Sequence, residues 1–222
     1  MESVCLHYAP DNASLCVRLA LEFANRPYRT ALVNRAAAGQ RSASYLQLNP
    51  AGLIPALETP SGPIFETGAI LLWLADSAPG TLMPAPDAPG RGAALSWLFW
   101  MSNTLHPTLR TLFYPEQYLP AAPSSLRDAA KHRLASHLDL LEAEWSPDHV
   151  AQMCYLAPML RWPALYGGPA GWYDLGNWPR LHLFAQVFEQ MPATKRAAAA
   201  EGLGATPFSA PHHPIPPEGS PT

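Results

Sequence analysis

Two adjacent polar residues, Glu66 and Thr67, stand at the start of a predicted helix, where the backbone itself favours an anion. The first N–H groups of a helix have no partner within it, and the helix dipole places partial positive charge there. The hydroxyl of Thr67 adds a donor, and the carboxylate of Glu66 can pair with an ammonium group. The pair therefore predicts a site for a small ligand that carries a carboxylate and an ammonium. The alternative is a helix N-cap beside an exposed acid.

A second set of polar residues follows the first predicted strand. Asn12 lies in the turn cluster that begins at Pro10, and Ser14 stands at the start of the next predicted helix. The amide of Asn12 and the hydroxyl of Ser14 can each donate a hydrogen bond to a ligand at the helix N-terminus. The alternatives are a turn residue for Asn12 and an N-cap for Ser14.

His106 lies in a long apolar helix pattern over residues 92–113, and Asn103 precedes it by three positions. Residues three apart on an α-helix share a face, so we expect both side chains to face one cleft. The alternative for His106 is a histidine bonded within the core of the helical region.

Composition and charge exclude several classes of function. Only 14% of the 222 residues are charged and the net charge is -3, which does not suggest binding to nucleic acid or to a charged membrane surface. Cys5, Cys16 and Cys154 form no C-x-x-C pair and no cluster at metal-ligand spacing, which predicts free thiols, a reducing compartment and no metal site. No apolar run reaches the roughly 20 residues that cross a bilayer, and the N-terminus lacks a signal-peptide pattern. We therefore expect a soluble, cytoplasmic protein with no membrane partner.

The pattern of predicted elements changes character along the chain. Short strands at residues 4–8, 28–33, 55–57 and 64–65 are interspersed with helices that begin at residues 14, 44 and 67. Helical patterns then cover residues 92–113, 124–145, 150–162, 181–191 and 193–203. This order predicts a small α/β domain at residues 1–77, a Pro-rich linker at 78–89 and an all-helical domain at 90–203. The remaining residues, 204–222, form a Pro-rich tail that we expect to lie extended on the surface or to be disordered.

Two sequence blocks carry a resemblance to a known family. NPAGLIPAL at residues 49–57 is followed by FETGAI at 65–70 and LAD at 74–76. Together they resemble the N-terminal domain of glutathione transferases, which reads NPxGxVPxL and then E-S-x-A-I. Further along, Trp97, the segment NTLH at 103–106 and the pair at 112–113 are similar to the helical domain of bacterial beta-class members. The resemblance implies a thioredoxin-like N-terminal domain followed by an all-α C-terminal domain.

The resemblance also implies how glutathione would be held. The family carries a cis peptide at the position of Pro55, which exposes the backbone of Ile54 to the cysteinyl unit of the peptide. Glu66 and Thr67 then take the γ-glutamyl end, whose carboxylate and ammonium match the two groups predicted above. The other assigned residues are Arg41 (or Arg35) for the glycine carboxylate, Asn103 for glutathione, and Arg110 and Tyr114 for the second substrate.

The chain departs from the beta class at the residue that acts on the thiol. The class reads P-G-A-C-S-L after the first strand, whereas this chain has Ala13 at the position of the cysteine. A free thiol titrates near pH 8.5, so a donor or a positive field is needed to stabilise the thiolate at neutral pH. We assign that role to Ser14 or Asn12, with His106 assisting from the cleft. We expect Cys16 to be buried on the helix face.

The resemblance thus implies an enzyme, a glutathione S-transferase that joins or exchanges glutathione on a small hydrophobic electrophile. The expected setting is a cytoplasmic homodimer acting in detoxification, with glutathione as substrate and no metal. Two alternatives stay open: a non-catalytic binding or scaffold protein of the same fold, and a glutathione-dependent disulfide reductase that needs no protein cysteine.

Overall fold

Four short strands near the amino terminus form one mixed sheet. The computed structural model describes residues 3–169 and 171–215, and its strands are β1 (Val4–Tyr8), β2 (Tyr28–Leu32), β3 (Ala56–Thr59) and β4 (Gly62–Phe65). They lie in the order β2-β1-β3-β4, with β1 parallel to β2 and antiparallel to β3, and β3 antiparallel to β4. The parallel pair needs a crossover connection, which helix α1 (Ser14–Phe23) supplies.

Two further helices complete this first unit, α2 (Ala43–Leu46) and α3 (Thr67–Ser77). Val4 and Leu6 of β1 are fully buried, because alternate residues of a strand point to the same face and this face meets α1. Helix α1 also packs against α3. The predicted thioredoxin-like α/β domain is confirmed, and its first two strands lie within one residue of the predicted bounds.

The second unit, from Arg91 to Ala200, is mainly helical, as predicted. Its helices are α4 (Arg91–Trp100), α5 (His106–Phe113), α6 (Pro115–Tyr118), α7 (Pro123–Glu144), α8 (Val150–Leu165), α9 (Pro179–Phe188) and α10 (Pro192–Ala200). A π-helical segment, Met101–Leu105, joins α4 to α5 in one continuous run. Within the described part of the chain, no helix is long and apolar enough to cross a membrane.

Helix α8 is the central element of the second unit, since residues 151–163 along it are all buried. Helix α1 packs against both α8 and α10, so the core is continuous between the two units. The N-terminus of α8 has no side-chain cap; instead, the Ala151 N–H donates to the Leu82 carbonyl at 3.0 Å. The connector predicted at residues 78–89 therefore satisfies one of the N–H groups that a helix leaves unpaired. The exact domain boundaries remain a prediction.

The part of the Pro-rich tail that the structure describes, residues 204–215, forms no helix or strand and is anchored to the helical unit. The ring of Phe208 is 1% exposed and packs against Phe188. The buried carboxylate of Glu189 accepts hydrogen bonds from the backbone N–H groups of Phe208 and Ser209 and from the Ser209 hydroxyl. The buried ring of Phe208 and the hydrogen bonds to Glu189 thus anchor the segment. A single buried ring does not produce a periodic pattern in the sequence. Residues 216–222 lie outside the described residues.

Candidate functional site

A cavity of about 480 Å³ opens between the first unit and helices α5 and α8. Its first wall consists of residues from the loops after β1 and β2, from the segment before β3 and from the start of α3 (Asp11, Asn12, Ala13, Arg35, Gln40, Arg41, Asn49, Gly52, Leu53, Ile54, Pro55, Glu66 and Thr67). Its second wall comes from the helical unit (Ser102, His106, Pro107, Leu109, Arg110, Phe113, Tyr114, Gln117, Tyr155, Trp162, Tyr166 and Gly167). Members of all three predicted sets of polar residues therefore meet at one place, namely Glu66 and Thr67, Asn12, and His106.

The segment before β3 is held in place by hydrogen bonds to the carbonyl of Leu53. The hydroxyl of Tyr45 and the side-chain amide of Asn49 both donate to this oxygen, each at 2.8 Å. The next peptide bond, Ile54–Pro55, is cis, and both residues line the cavity. The predicted placement of Ile54 and Pro55 beside the ligand is thus supported by geometry, although their contact with a ligand stays a prediction.

The start of α3 faces the same cavity. Glu66 is the residue before the helix and adopts a positive φ of 71°, which is uncommon for a residue other than glycine. Such strain is concentrated at functional sites, where the surrounding structure holds it. The side chain of Glu66 is exposed, whereas Thr67, the first helical residue, is only 5% exposed. The pair thus presents a carboxylate, a hydroxyl and the helix N-terminus to one side of the cavity.

The loop after β1 is fixed by a buried ion pair to α8. Asp11 has a positive φ of 53°, and its carboxylate accepts from Arg161 Nε at 2.7 Å and from Arg161 Nη2 at 3.0 Å. Trp162 Nε1 and the Tyr166 hydroxyl donate to the same carboxylate, each at 3.0 Å. The Asp11 N–H donates to Glu201 at 2.8 Å. The residues that follow Asp11 are therefore anchored to the helical unit.

Asn12 and Ala13 are the residues of this loop that come next along the cavity wall. Asn12 Oδ1 accepts from the Ala13 N–H at 2.7 Å, which fixes the plane of the amide and reserves its Nδ2 as a donor. Ala13, at the position of the beta-class cysteine, brings only a methyl group to the cavity. Among the three residues Asn12, Ala13 and Ser14, only Asn12 offers a polar side chain to the cavity.

The assignment of Ser14 to the site is wrong. Ser14 is fully buried and does not line the cavity, because its hydroxyl donates to the Ala9 carbonyl at 3.0 Å and accepts from the Ala9 N–H at 3.3 Å. Nor is Ser14 an N-cap: it is already the first helical residue, after Ala13. Its hydroxyl braces the end of β1.

The cysteines lie away from the cavity. Cys5, Cys16 and Cys154 are all buried free thiols, and none lines the cavity wall. Cys16 Sγ donates to the Tyr155 carbonyl at 3.9 Å, and burial raises the pKa of its thiol well above the usual value. The predicted burial of Cys16 is confirmed.

His106 lines the cavity and is held by Tyr155, whose hydroxyl lies 3.0 Å from His106 Nδ1. Burial, with a smaller contribution from the charge of Arg110, lowers the pKa of His106 from 6.5 to about 4. The imidazole is therefore neutral near pH 7, so it can donate or accept a hydrogen bond but brings no positive charge. Burial also raises the pKa of Tyr155 above its usual range.

The placement of Asn103 is wrong. Asn103 is exposed and does not line the cavity, whereas Ser102, four residues before His106, does. The cause is the π-helical segment Met101–Leu105, whose i→i+5 bonding puts more residues into a turn than an α-helix has. A residue three positions before His106 is consequently rotated away from its face.

Three arginines line the cavity, two on the first wall and one on the second. Arg41 Nη1 donates to the Ala51 carbonyl at 3.3 Å, and a Cβ added at Gly52 would lie 2.8 Å from this nitrogen. Gly52, with a φ of 62°, thus leaves room for Arg41 at the cavity edge. Arg35 lines the same wall, and Arg110 lines the opposite one.

The aromatic side chains on and after α8 belong to the site, although the sequence pattern did not indicate it. Tyr155, Trp162 and Tyr166 all line the cavity. Tyr155 and Trp162 lie in the helical pattern predicted at residues 150–162, to which no site residue was assigned, and Tyr166 follows that pattern. Their polar groups could have indicated a site, since a buried Tyr or Trp usually needs a hydrogen-bond partner.

One group of side chains outside the cavity approaches metal-ligand spacing. The ligand atoms of Cys5, His7 and Glu58 lie within 4.8 Å of one another, on the paired strands β1 and β3. Sequence spacing did not reveal this group, because Glu58 comes from a distant strand. His7 Nε2 already pairs with Glu58 at 2.6 Å, and the side chain of Glu58 is 48% exposed.

Comparison with known proteins agrees with this geometry. Residues 3–76 match the family model of the glutathione S-transferase N-terminal domain. Glutathione S-transferase GST-4.5 of Xanthomonas campestris pv. campestris is 29% identical over 89% of this chain and 98% of its own length. Disulfide-bond oxidoreductase YfcG of Escherichia coli is 28% identical over 90% of this chain and 96% of its own. The structure of a sphingomonad glutathione S-transferase complexed with glutathione superposes with a TM-score of 0.77 at 29% identity, covering 90% of this chain and all of that one.

Proposed function

Because this chain belongs to the glutathione transferase family, we propose that it binds glutathione in the cavity and transfers it to a small electrophile. The observation that carries the proposal is the convergence of Ile54, Thr67 and Asn12 on one cavity. The first two suit the backbone and the γ-glutamyl end of glutathione, and the third suits its sulfur.

In the proposed complex, glutathione lies extended along the first wall. Its cysteinyl unit pairs with the backbone of Ile54 in the manner of an added strand. Its γ-glutamyl carboxylate meets Thr67 and the N-terminus of α3, and its ammonium meets Glu66. Its glycine carboxylate then points to Arg41 or Arg35, the two cations of this wall. The charges of the ligand and of the wall are complementary at each of these points.

Asn12 is the proposed donor to the sulfur. Its Nδ2 is available because Oδ1 already accepts from Ala13, and the loop is fixed by the pair between Asp11 and Arg161. A preorganised amide donor stabilises a thiolate without the cost of reorienting during the reaction. His106 assists as a neutral hydrogen-bonding group on the opposite wall, since its pKa of about 4 leaves it uncharged near neutral pH.

The transfer step needs no protein nucleophile. The glutathione thiol loses its proton to solvent, and the thiolate attacks an electron-poor carbon of the second substrate. A carbon–sulfur bond forms, and in a substitution the leaving group departs with its bonding electron pair. The wall formed by Phe113, Tyr114 and Trp162 suits a second substrate with an apolar body.

Reduction of disulfides by glutathione is the second candidate, and the similarity to a disulfide-bond oxidoreductase over 90% of this chain favours it. The reaction needs no protein cysteine, and none lines the described cavity wall. In this reaction a first glutathione thiolate attacks a disulfide, which releases one thiolate and leaves a mixed disulfide. A second glutathione thiolate attacks the mixed disulfide, so glutathione disulfide and the second thiol are released. Two glutathiones supply both electrons, and the protein only binds and aligns them.

The remaining features of the proposal concern the setting of the enzyme. A cytoplasmic setting is consistent with its three free cysteines. A role in detoxification would follow from the proposed transfer to electrophiles. We expect a homodimer, for which the rings of Phe65 and Phe99, 38% and 51% exposed, are candidate contacts. Light scattering after gel filtration tests this, and a monomer at every concentration would contradict it.

Calorimetric titration with glutathione, followed by assays with a chlorodinitrobenzene and with hydroxyethyl disulfide, tests the function. Binding with turnover of the aryl chloride supports the transferase, and turnover of the disulfide alone supports the second candidate. Binding without either turnover would leave a glutathione-binding scaffold. No binding up to millimolar glutathione would contradict all three.

A further inference from the structure

The two walls of the cavity differ in charge. The first wall carries Arg35, Arg41 and the carboxylates of Glu66 and Asp11. Because the Asp11 carboxylate is neutralised by the buried Arg161, the other three charges match the two carboxylates and the ammonium of glutathione. The second wall carries a single permanent cation, Arg110, and none of its described residues is an acid. A second substrate in contact with this wall therefore meets a positive charge that glutathione does not require.

Arg110 lies on the cavity side of α5 and is half-buried. Its Nε donates to the Tyr118 hydroxyl at 3.4 Å, and its guanidinium carbon lies 5.9 Å from the centre of the Tyr114 ring. Among the ion pairs of the described residues, none involves Arg110. Its charge is thus held beside an aromatic ring but is not neutralised by a carboxylate, which leaves its guanidinium able to bind an anion.

The surroundings of Arg110 restrict the shape of what it can bind. The Phe113 ring packs edge-on against Tyr114 and Tyr166, with ring centres 6.5 Å and 6.0 Å apart. Gln117, which also lines the wall, adds an amide that can hydrogen-bond to a polar substituent. A cation at the edge of an aromatic surface suits a flat, unsaturated body that carries an anionic group at its rim.

We propose that the electrophile carries a carboxylate on a planar aromatic or conjugated body, and that Arg110 selects it by pairing with that carboxylate. This inference rests on the proposed function, since it names the substrate class of the same cavity. The planar guanidinium offers two parallel N–H donors to a carboxylate, so Arg110 discriminates between the acid and a neutral analogue of similar shape.

A matched pair of electrophiles tests the preference: a chlorodinitrobenzoate and its methyl ester. In both, the glutathione sulfur attacks the ring carbon that bears chlorine, the carbon–sulfur bond forms, and chloride leaves with the bonding electrons. The rate of each compound is divided by its rate with free glutathione, which removes the difference in intrinsic reactivity. The expected result is a kcat/KM for the carboxylate about tenfold or more above that for the ester.

Three variants test whether Arg110 causes the preference for the carboxylate over the ester. Arg110→Gln should lower kcat/KM for the carboxylate by about tenfold to a hundredfold more than it lowers kcat/KM for the ester. Arg110→Lys keeps the charge but loses the planar arrangement of two parallel donors. Its kcat/KM for the carboxylate should therefore lie between the values for Arg110→Gln and for the parent protein. Arg133→Gln removes an equal charge from the exposed face of α7 and should not alter the preference. An equal loss for both electrophiles in Arg110→Gln would overturn the inference.

A binding measurement separates the failure of this inference from the failure of catalysis. The two S-aryl conjugates, acid and ester, are synthesised and titrated into the protein and into Arg110→Gln by calorimetry. Tighter binding of the acid conjugate that is lost in Arg110→Gln supports the inference even if neither electrophile is turned over, in which case only the catalytic proposal fails. Equal affinities for the two conjugates in the parent protein would contradict the inference whatever the turnover.

Discussion

The carboxylate of Asp11 and the guanidinium of Arg161 form an ion pair in which both side chains are fully buried. The pair joins the loop after β1 to the central helix of the other unit. Arg161 also donates to the carbonyls of Pro207 and His212, at 2.8 Å and 2.7 Å. One guanidinium thus connects the cavity loop, α8 and the C-terminal segment.

Breaking this pair should destabilise the protein strongly. Replacing Asp11→Asn leaves the Arg161 charge buried without a counter-ion, and we expect a loss of about 3–5 kcal/mol in the free energy of unfolding. Urea unfolding followed by tryptophan fluorescence measures it. The exposed pair between Asp128 and Lys131, at 3.6 Å, is the control, and Asp128→Asn should cost no more than about 1 kcal/mol. Similar losses in the two variants would contradict the role given to the buried pair.

Asn12 and Ser14 provide a matched test of which residue serves the sulfur. Asn12→Ala removes the donor from the cavity and should lower kcat/KM by about tenfold to a hundredfold, with little change in stability. Ser14→Ala removes the partner of two Ala9 backbone groups and should cost about 1–3 kcal/mol of stability while the folded enzyme keeps its kcat/KM. Initial rates measured well below the unfolding midpoint separate the two effects. The reverse pattern would return the catalytic role to Ser14.

The hydroxyl of Thr67 should contribute to glutathione affinity rather than to folding. Thr67→Val keeps the buried volume and the branching at Cβ, so the fold should be retained, but the donor is lost. We expect the affinity for glutathione to fall about tenfold, equivalent to about 1.4 kcal/mol. Thr67→Ser keeps the hydroxyl and should bind within about threefold of the parent protein by calorimetry. Equal affinities for the Val and Ser variants would remove the hydroxyl from the site.

His106 should make the protein less stable in mild acid. Its pKa is lowered from 6.5 to about 4, so the unfolded chain takes up a proton at a pH where the folded protein does not. The free energy of unfolding therefore keeps its full value above about pH 6.5. It falls as the pH drops from about 6.5 to about 4, by about 3 kcal/mol at most. Urea unfolding at several pH values measures the slope. His106→Asn should flatten it, whereas His132→Asn, at an exposed position on α7, should not.

The strongest sequence predictions came from local rules. The β-type run at residues 4–8, ended by the turn cluster that begins at Pro10, predicted the first strand. The blocks at residues 49–57 and 65–70 indicated the cavity wall that contains Ile54 and Thr67 through their resemblance to the glutathione transferase N-terminal domain. These features depend on backbone preferences and on neighbours in the chain, and such preferences can be recognised in a single sequence. The fold class followed from the change of periodicity after the Pro-rich connector.

Only the tertiary structure decided what the residues after β1 do. The sequence did not decide whether Ser14 or Asn12 serves the sulfur, because either side chain can donate a hydrogen bond. In the structure the Ser14 hydroxyl is bonded to the backbone of Ala9 and does not reach the cavity. Asp11 lies in a predicted turn cluster, and its ion-pair partner Arg161 is 150 positions away in the sequence. The π-helical segment likewise turns Ser102, and not Asn103, toward the cavity. The sequence pattern did not predict this segment. Local pattern thus determined the elements, and the family resemblance indicated the first wall of the cavity. Partners distant in sequence determined which polar groups remain available to a ligand.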